Sequence, residues 1–178
     1  MLSKTRHFVP THELLSIYHS TFSANLLYGC QIWGQQSNSH LKKLETLQNN
    51  AMRIMTFSDY RSSTGPIYKA LRILKLKDQI SLSNCLFVHD QINKELPESF
   101  SNYFTPTNEL YPIVTRNSKT GKLFIPQVNS IRYGRHSIKH SSIKTWNFFI
   151  KQFPNTDFMK IMRNDLKKLI TERFFKSY

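Results

Sequence analysis

Hydrophobic positions in the first hundred residues recur at helical spacing. Leu14, Leu15, Tyr18, Phe22 and Leu26 form an apolar stripe behind Pro10-Thr11-His12-Glu13. Thr11 is placed to cap free amides there, and Glu13 to meet the positive end of the helix dipole. The pattern predicts a helix reaching Ile32 or Trp33 and stopping at Gly34. Gly29 inside that run costs stability, which implies a kink or a close helix contact. After a polar turn at Gln35–Ser39, one face of a second helix carries Leu41, Leu44, Leu47, Ala51, Ile54 and Met55. Lys42, Glu45, Gln48, Asn49 and Arg53 fall largely on its other faces. Ser58–Thr64 is a break, and Pro66 opens a short helix to Leu71. A third long helix, Asp78–Lys94, is apolar nearly all round (Ile80, Leu82, Cys85, Leu86, Phe87, Val88, Ile92), as a central helix would be, and Leu96-Pro97 ends it.

The pattern changes beyond residue 98. Pro106, Asn108, Pro112, Asn117, Ser118 and Gly121 supply turn chemistry rather than a periodic element. Lys122–Val128 reads as a short strand, held to an edge by Pro126 and paired through an Asn129-Ser130 turn with Ile131–Ile138. Ser141 or Ser142 is the expected cap of a helix carrying Ile143, Trp146, Phe149 and Ile150 and closed by Pro154. Thr156 is the expected cap of the last helix, with Asp157 in its first turn and Phe158, Ile161, Met162, Leu166, Leu169, Ile170 and Phe174 as its stripe. The fold class is therefore mainly α: a helical bundle over 1–98, then an extension over 99–178 with a small β-ribbon and two C-terminal helices.

Composition supports a folded chain. The 178 residues suffice for one domain or two small ones, and 39% hydrophobic with 13% aromatic content is too apolar for a disordered chain. Only five glycines argue for long helices. Cys30 and Cys85 are isolated, which fits a reducing compartment and core positions better than a disulfide framework. Met1–Pro10 carries Lys4 and Arg6 but no apolar h-region, and no window approaches a membrane span. An intracellular location, nuclear or cytoplasmic, is expected, without secretion and without a membrane partner. Tyr28, Trp33 and Trp146 are expected in the core.

Charge changes the picture. The net charge is +14, which favours a polyanionic partner. Leu110–Thr156 contains no Asp or Glu, yet it holds Arg116, Lys119, Lys122, Arg132, Arg135, Lys139, Lys144 and Lys151, interleaved with Tyr111, Phe124, Tyr133 and Trp146. Cations neutralise phosphates and aromatics stack on bases; the alternative is a solvated basic loop whose rings serve the core. Arg132, Tyr133 and Arg135 surround Gly134, where a backbone without Cβ can approach a phosphate closely. Arg53 and Arg61 flank the break after the second helix, with Tyr60 between them. They either contact phosphate or cap carbonyls at the helix end. Lys42 and Lys43 read as a solvated face. His136 and His140, four apart, have no acidic third ligand near them, so no metal site is expected. No GxSxG surrounds any serine, and no motif calls for a cofactor.

The ordered series Ser23-Ala24-Asn25-Leu26-Leu27-Tyr28-Gly29-Cys30-Gln31-Ile32-Trp33-Gly34, then Arg53-Ile54-Met55-Thr56-Phe57, then Tyr60-Arg61-Ser62-Ser63-Thr64 resembles the region just after the palm in reverse transcriptases of LINE-type, jockey-like non-LTR retrotransposons. Thr115-Arg116-Asn117, Leu123-Phe124-Ile125-Pro126 and Ile143-Lys144-Thr145-Trp146-Asn147 resemble the post-thumb extension of the same family. The resemblance implies a thumb-like bundle that packs against template-primer duplex, followed by a basic extension. It implies a nucleic-acid partner (RNA/DNA duplex or hybrid), and leaves a palm domain or another protein as a partner for an exposed helical face. It also implies a departure. Family chemistry needs palm carboxylates that hold two metal ions, whereas no two of the eleven acidic residues here are adjacent. No polymerase activity is expected of these residues alone; whether Met1 is the true start or a palm lies upstream stays open. A rival reading is a domesticated or remnant helical protein-interaction module with no nucleic-acid role.

Overall fold

The computed structural model describes residues 2–110, 121–130 and 134–178, Asn108 without its side chain; among these the protein is mainly helical and has no β-strand. The chain forms two compact units, 1–79 with 173–178, and 80–172. No helix among the described residues is long and apolar enough to cross a membrane.

The first unit begins with α1 (Leu2–Thr5) and α2 (Thr11–Ile17). Pro10, not Thr11, is the cap of α2: its extended backbone puts its carbonyl under the amides of Glu13 and Leu14, both at 3.1 Å, and leaves Thr11 already inside the helix. The helix widens into a π-helical stretch at Tyr18–Ser23, where Thr21 Oγ1 donates to the Ile17 carbonyl at 2.6 Å, and then tightens into α3 (Ala24–Leu27). It stops there, short of the expected Ile32. Tyr28 is extended and Gly29 takes φ +60°, so the expected kink is a complete break before α4 (Cys30–Trp33). The break has a consequence for Tyr28, which is 87% exposed rather than a core anchor, while Trp33 is half-buried and donates from Nε1 to the Tyr28 carbonyl at 2.9 Å.

α5 (Asn38–Met55) buries Leu41, Ala51, Met52 and Met55, and with them Gln48, only 4% exposed. Leu47, expected on the buried face, is exposed. Gln48 is buried because it joins three segments: its Nε2 donates to Tyr18 Oη and to the Leu74 carbonyl, each at 3.1 Å, and its Oε1 accepts from the Leu76 amide at 2.9 Å. An amide there satisfies backbone groups that a leucine would strand. α6 (Gly65–Leu71) starts with Pro66 in its first turn, as expected, and buries Tyr68, whose hydroxyl donates to Asn49 Oδ1 at 2.9 Å. Leu14, Tyr18, Ala51, Met52, Met55, Tyr68 and Ile73 form one apolar core. Tyr178 packs against it; its hydroxyl accepts from the Lys75 amide at 2.9 Å and donates to Asp78, while the Lys75 ammonium lies 4.1 Å from its ring centre. Burial raises the Asp78 carboxyl above its ordinary range, and the Tyr178 hydrogen bond offsets part of that rise.

α7 (Leu76–Ile92) matches the expected central helix: no residue from Ile80 to Ile92 is exposed. In the second unit Phe87 meets Phe100, Tyr103 and Phe104 edge-on at 5.7–6.0 Å, an arrangement that suits aromatic quadrupoles. Cys85 is buried, which pushes its thiol up, and neither cysteine is in a disulfide. Among the described residues the expected ribbon is not formed. Leu123 bridges Pro106, just before the short α8 (Thr107–Leu110), and the amides of Gly134 and Arg135 both turn back to the Ser130 carbonyl at 3.1 Å. Residues 131–133 lie outside the described residues. The place of a strand partner is taken by the Asn147 side chain, which accepts from the Leu123 amide at 2.9 Å and donates to the Leu123 carbonyl at 2.8 Å.

α9 (Ile138–Gln152) starts a turn earlier than expected, because Ser137 caps it in place of Ser141 or Ser142: Ser137 Oγ accepts from the His140 amide at 3.3 Å. Ile143, Trp146, Phe149 and Ile150 are buried on one face, and Trp146 Nε1 donates to the Gly121 carbonyl at 3.1 Å. The last helix, α10 (Arg163–Ser177), starts later than the Thr156 cap implied. Residues 154–161 form turns instead; Asp157 Oδ1 accepts from the Met159 amide at 3.1 Å, and buried Phe158 meets the Trp146 ring at 5.5 Å. Arg163 Nε donates to Asp90 Oδ1 at 2.7 Å, which lifts the guanidinium further above its ordinary value.

Candidate nucleic-acid interface

The second unit carries its candidate site at the start of α9. Gly134 packs tightly just before it: a Cβ there would lie 2.6 Å from Val128 Cβ, so the bare backbone serves close packing within the unit. Ser137 Oγ also donates to the Gly134 carbonyl at 2.7 Å, so the cap and the preceding turn hold each other. Arg135 is exposed just before the helix, and Lys144 is exposed two turns along it. Lys139 is half-buried, with its ammonium 5.4 Å from the Tyr103 ring centre, a favourable cation–π geometry.

His140 lies among these cations, 5% exposed, on the side of α9 that packs inward. Neither ring nitrogen has a hydrogen-bond partner among the described residues, although the Pro126 carbonyl lies beside the ring. Burial lowers its value below the ordinary one, and the positive charges of Lys144 and Arg135 lower it further. His140 is therefore a neutral ring at pH 7, and its surroundings are electropositive. None of Arg135, Lys139 and Lys144 has a carboxylate within ion-pair distance among the described residues. Lys122 is half-buried where its carbonyl accepts from Thr107 N at 3.1 Å and Thr107 Oγ1 at 2.9 Å, so its backbone belongs to the bridge to residue 106. Arg116, Lys119, Arg132 and Tyr133 lie outside the described residues.

The first unit holds Arg53 and Arg61. Arg53 is half-buried at the end of α5: Nε donates to the Ser62 carbonyl at 3.0 Å and Nη1 to Asn50 Oδ1 at 3.3 Å. It closes the loop after the helix, in contact with a loop carbonyl. Arg61 is exposed. Among the described residues no group of three His, Cys, Asp or Glu side chains could hold a metal ion.

Pattern reading missed Asn147, Tyr103 and Gln48. The first had a signal: Leu123 and Asn147 both stand in segments that carried the family resemblance, and the structure ties those segments together through Asn147 and Trp146. Tyr103 and Gln48 had none, because neither spacing nor composition marks a polar group that meets distant backbone.

Three comparisons bear on this arrangement. A stretch of 93 residues, 52% of the chain, is 29% identical to the probable RNA-directed DNA polymerase from transposon X-element of Drosophila melanogaster. Stretches of 55 and 66 residues are 36% and 32% identical to the probable RNA-directed DNA polymerase from transposon BS and the RNA-directed DNA polymerase from mobile element jockey, both of the same organism. Part of this chain is related to transposon reverse transcriptases. These matches cover 31–52% of the chain but only 6–10% of the length of the relatives. No family model matches the chain, and no solved structure matches it.

Proposed function

We propose that this chain is a non-catalytic, nucleic-acid-binding part of a retrotransposon reverse transcriptase, gripping template-primer duplex or element RNA through phosphate contacts. In this reading residues 1–98 are thumb-like and 99–178 are a basic post-thumb extension. The observation that carries it is the set of cations around the start of α9: Arg135, Lys139 and Lys144 with no carboxylate in reach. Fixed cations of this kind gain little from folding. They gain when they meet phosphates and release condensed counterions, a term that tolerates any base sequence. The relation to transposon polymerases supports the same partner class. Lys122, Arg53, Arg61, Arg116, Lys119, Arg132 and Tyr133 belong to the proposed contact set, Arg53 chiefly by shaping the loop that carries Arg61.

Filter binding of duplex across a salt series tests the reading. Affinity is expected to fall with a log–log slope of roughly −3 to −6; a flat response rejects it. With magnesium and a primed template, no nucleotide incorporation by residues 1–178 is expected, since the reading places the chemistry in a palm.

One observation favours a second reading. Tyr28 and Ile32 are 87% and 70% exposed around the Gly29 break, an apolar surface suited to a palm domain or another protein. Tyr28→Ser with Ile32→Ser is expected to leave duplex affinity unchanged in the first reading, whereas in the second it abolishes a protein contact and nucleic acid is not bound at all.

A further inference from the structure

The first unit presents a cluster that the phosphate reading leaves unused. Phe57 follows α5 in a left-handed conformation, φ +54°. Its amide donates to the Ile54 carbonyl at 3.4 Å and the next amide, Ser58, to the Arg53 carbonyl at 3.0 Å, the paired bonds of a Schellman helix end. Glycine fills that position at least cost; here it is a phenylalanine that stays 53% exposed. Arg72 and Lys94 share the backbone region elsewhere, so the conformation alone is no signal. What sets Phe57 apart is its company. The Arg6 guanidinium lies 5.3 Å from its ring centre, and the His7 ring meets it edge-on at 5.9 Å. Tyr60, 74% exposed, has the Arg53 guanidinium 5.9 Å from its ring centre. The local carboxylate, Asp59, is exposed and accepts from the Tyr60 amide at 2.7 Å.

We propose that Phe57 and Tyr60 form a stacking platform for unpaired nucleic-acid bases, with Arg6 stationed beside the Phe57 ring to meet a phosphate and Arg53, tied into the loop, fixed beside the Tyr60 ring. The inference rests on the reading of the chain as a nucleic-acid binder, but not on the basic face of α9. Exposed rings on a loop stack on any base whose π-face is free, so the platform is sequence-tolerant. A continuous duplex covers those faces, which makes a single strand the matching ligand. Cations fixed next to the rings favour this occupant over an apolar protein surface, because that surface would have to desolvate Arg6 without a counter-charge.

The test uses the full chain, a labelled short single-stranded oligonucleotide and a blunt duplex, read by fluorescence anisotropy. Phe57→Gly suits the left-handed backbone, so the double variant with Tyr60→Ala is expected to fold, which circular dichroism checks. It should bind the single strand about tenfold more weakly or worse, with duplex affinity unchanged. Equal single-strand affinity in variant and wild type overturns the platform and leaves the duplex reading standing. A variant that changes only self-association in sedimentation also overturns it, assigning the rings to protein contact. Wild type that binds neither probe removes both proposals, and wild type that binds the single strand alone, through these rings, keeps the platform and removes the duplex reading.

Discussion

The two units put several of their polar groups to different uses. In the first, they are turned into the fold: Gln48 joins Tyr18, Leu74 and Leu76, Arg53 closes a loop, and Lys77 pairs with Glu45 at 3.1 Å. In the second, the backbone is clamped by Asn147 and Trp146, and Arg135, Lys139 and Lys144 are left without carboxylates among the described residues. Similar numbers of lysine and arginine, 12 and 13, thus conceal different physical jobs. A cation whose bonds are satisfied internally stabilises; one without an acid is available to an external phosphate.

The sharpest way to break the contrast is to remove a group from each unit. Gln48→Leu strands the Leu76 amide and the Leu74 carbonyl in a buried place and is expected to cost about 3 kcal/mol in urea unfolding. A cost below about 1 kcal/mol would mean that water reaches those groups. Gly134→Ala forces a Cβ against Val128 in the second unit and is expected to cost about 2 kcal/mol, with hydrogen exchange faster around α9's first turn. Lys144→Ala with Arg135→Ala, by contrast, should change stability by less than about 0.5 kcal/mol, since neither side chain is engaged in the fold.

The smallest effect is on pH. His140 in the fold has a value below its ordinary one, so the unfolded chain takes the proton first. Stability from this group is therefore full above its unfolded value and falls as the pH drops below it. His140→Gln should flatten that part of the pH profile, and Lys144→Ala should raise the His140 value measured by NMR, because it removes a repelling charge.

How much of this was legible in the sequence follows from what each element depends on. α5, α6, α7 and the inward face of α9 follow local periodicity and were readable, Trp146 included. The end of α3 at Leu27 was not, since Gly29 permits either a kink or a break and the choice belongs to packing. Ser137 was passed over as a cap because strand-like alternation was read through residue 138. Among the described residues the ribbon is absent for a related reason: Leu123 has a strand's hydrogen-bonding needs, but a side chain from a distant helix, Asn147, meets them. For the candidate site, the acid-free stretch marked the right part of the chain. It could not separate Arg135 and Lys144, which are exposed, from Lys139 over its ring or Lys122 within the bridge region, because that distinction is made by folding.

The salt dependence of duplex binding, compared between wild type and the Arg135→Ala/Lys139→Ala/Lys144→Ala variant, tests the central claim most directly. If these cations meet phosphates, the variant's log–log slope is shallower by about 2 to 3 and its low-salt affinity is lower. Superimposable salt curves for the two proteins would contradict the account.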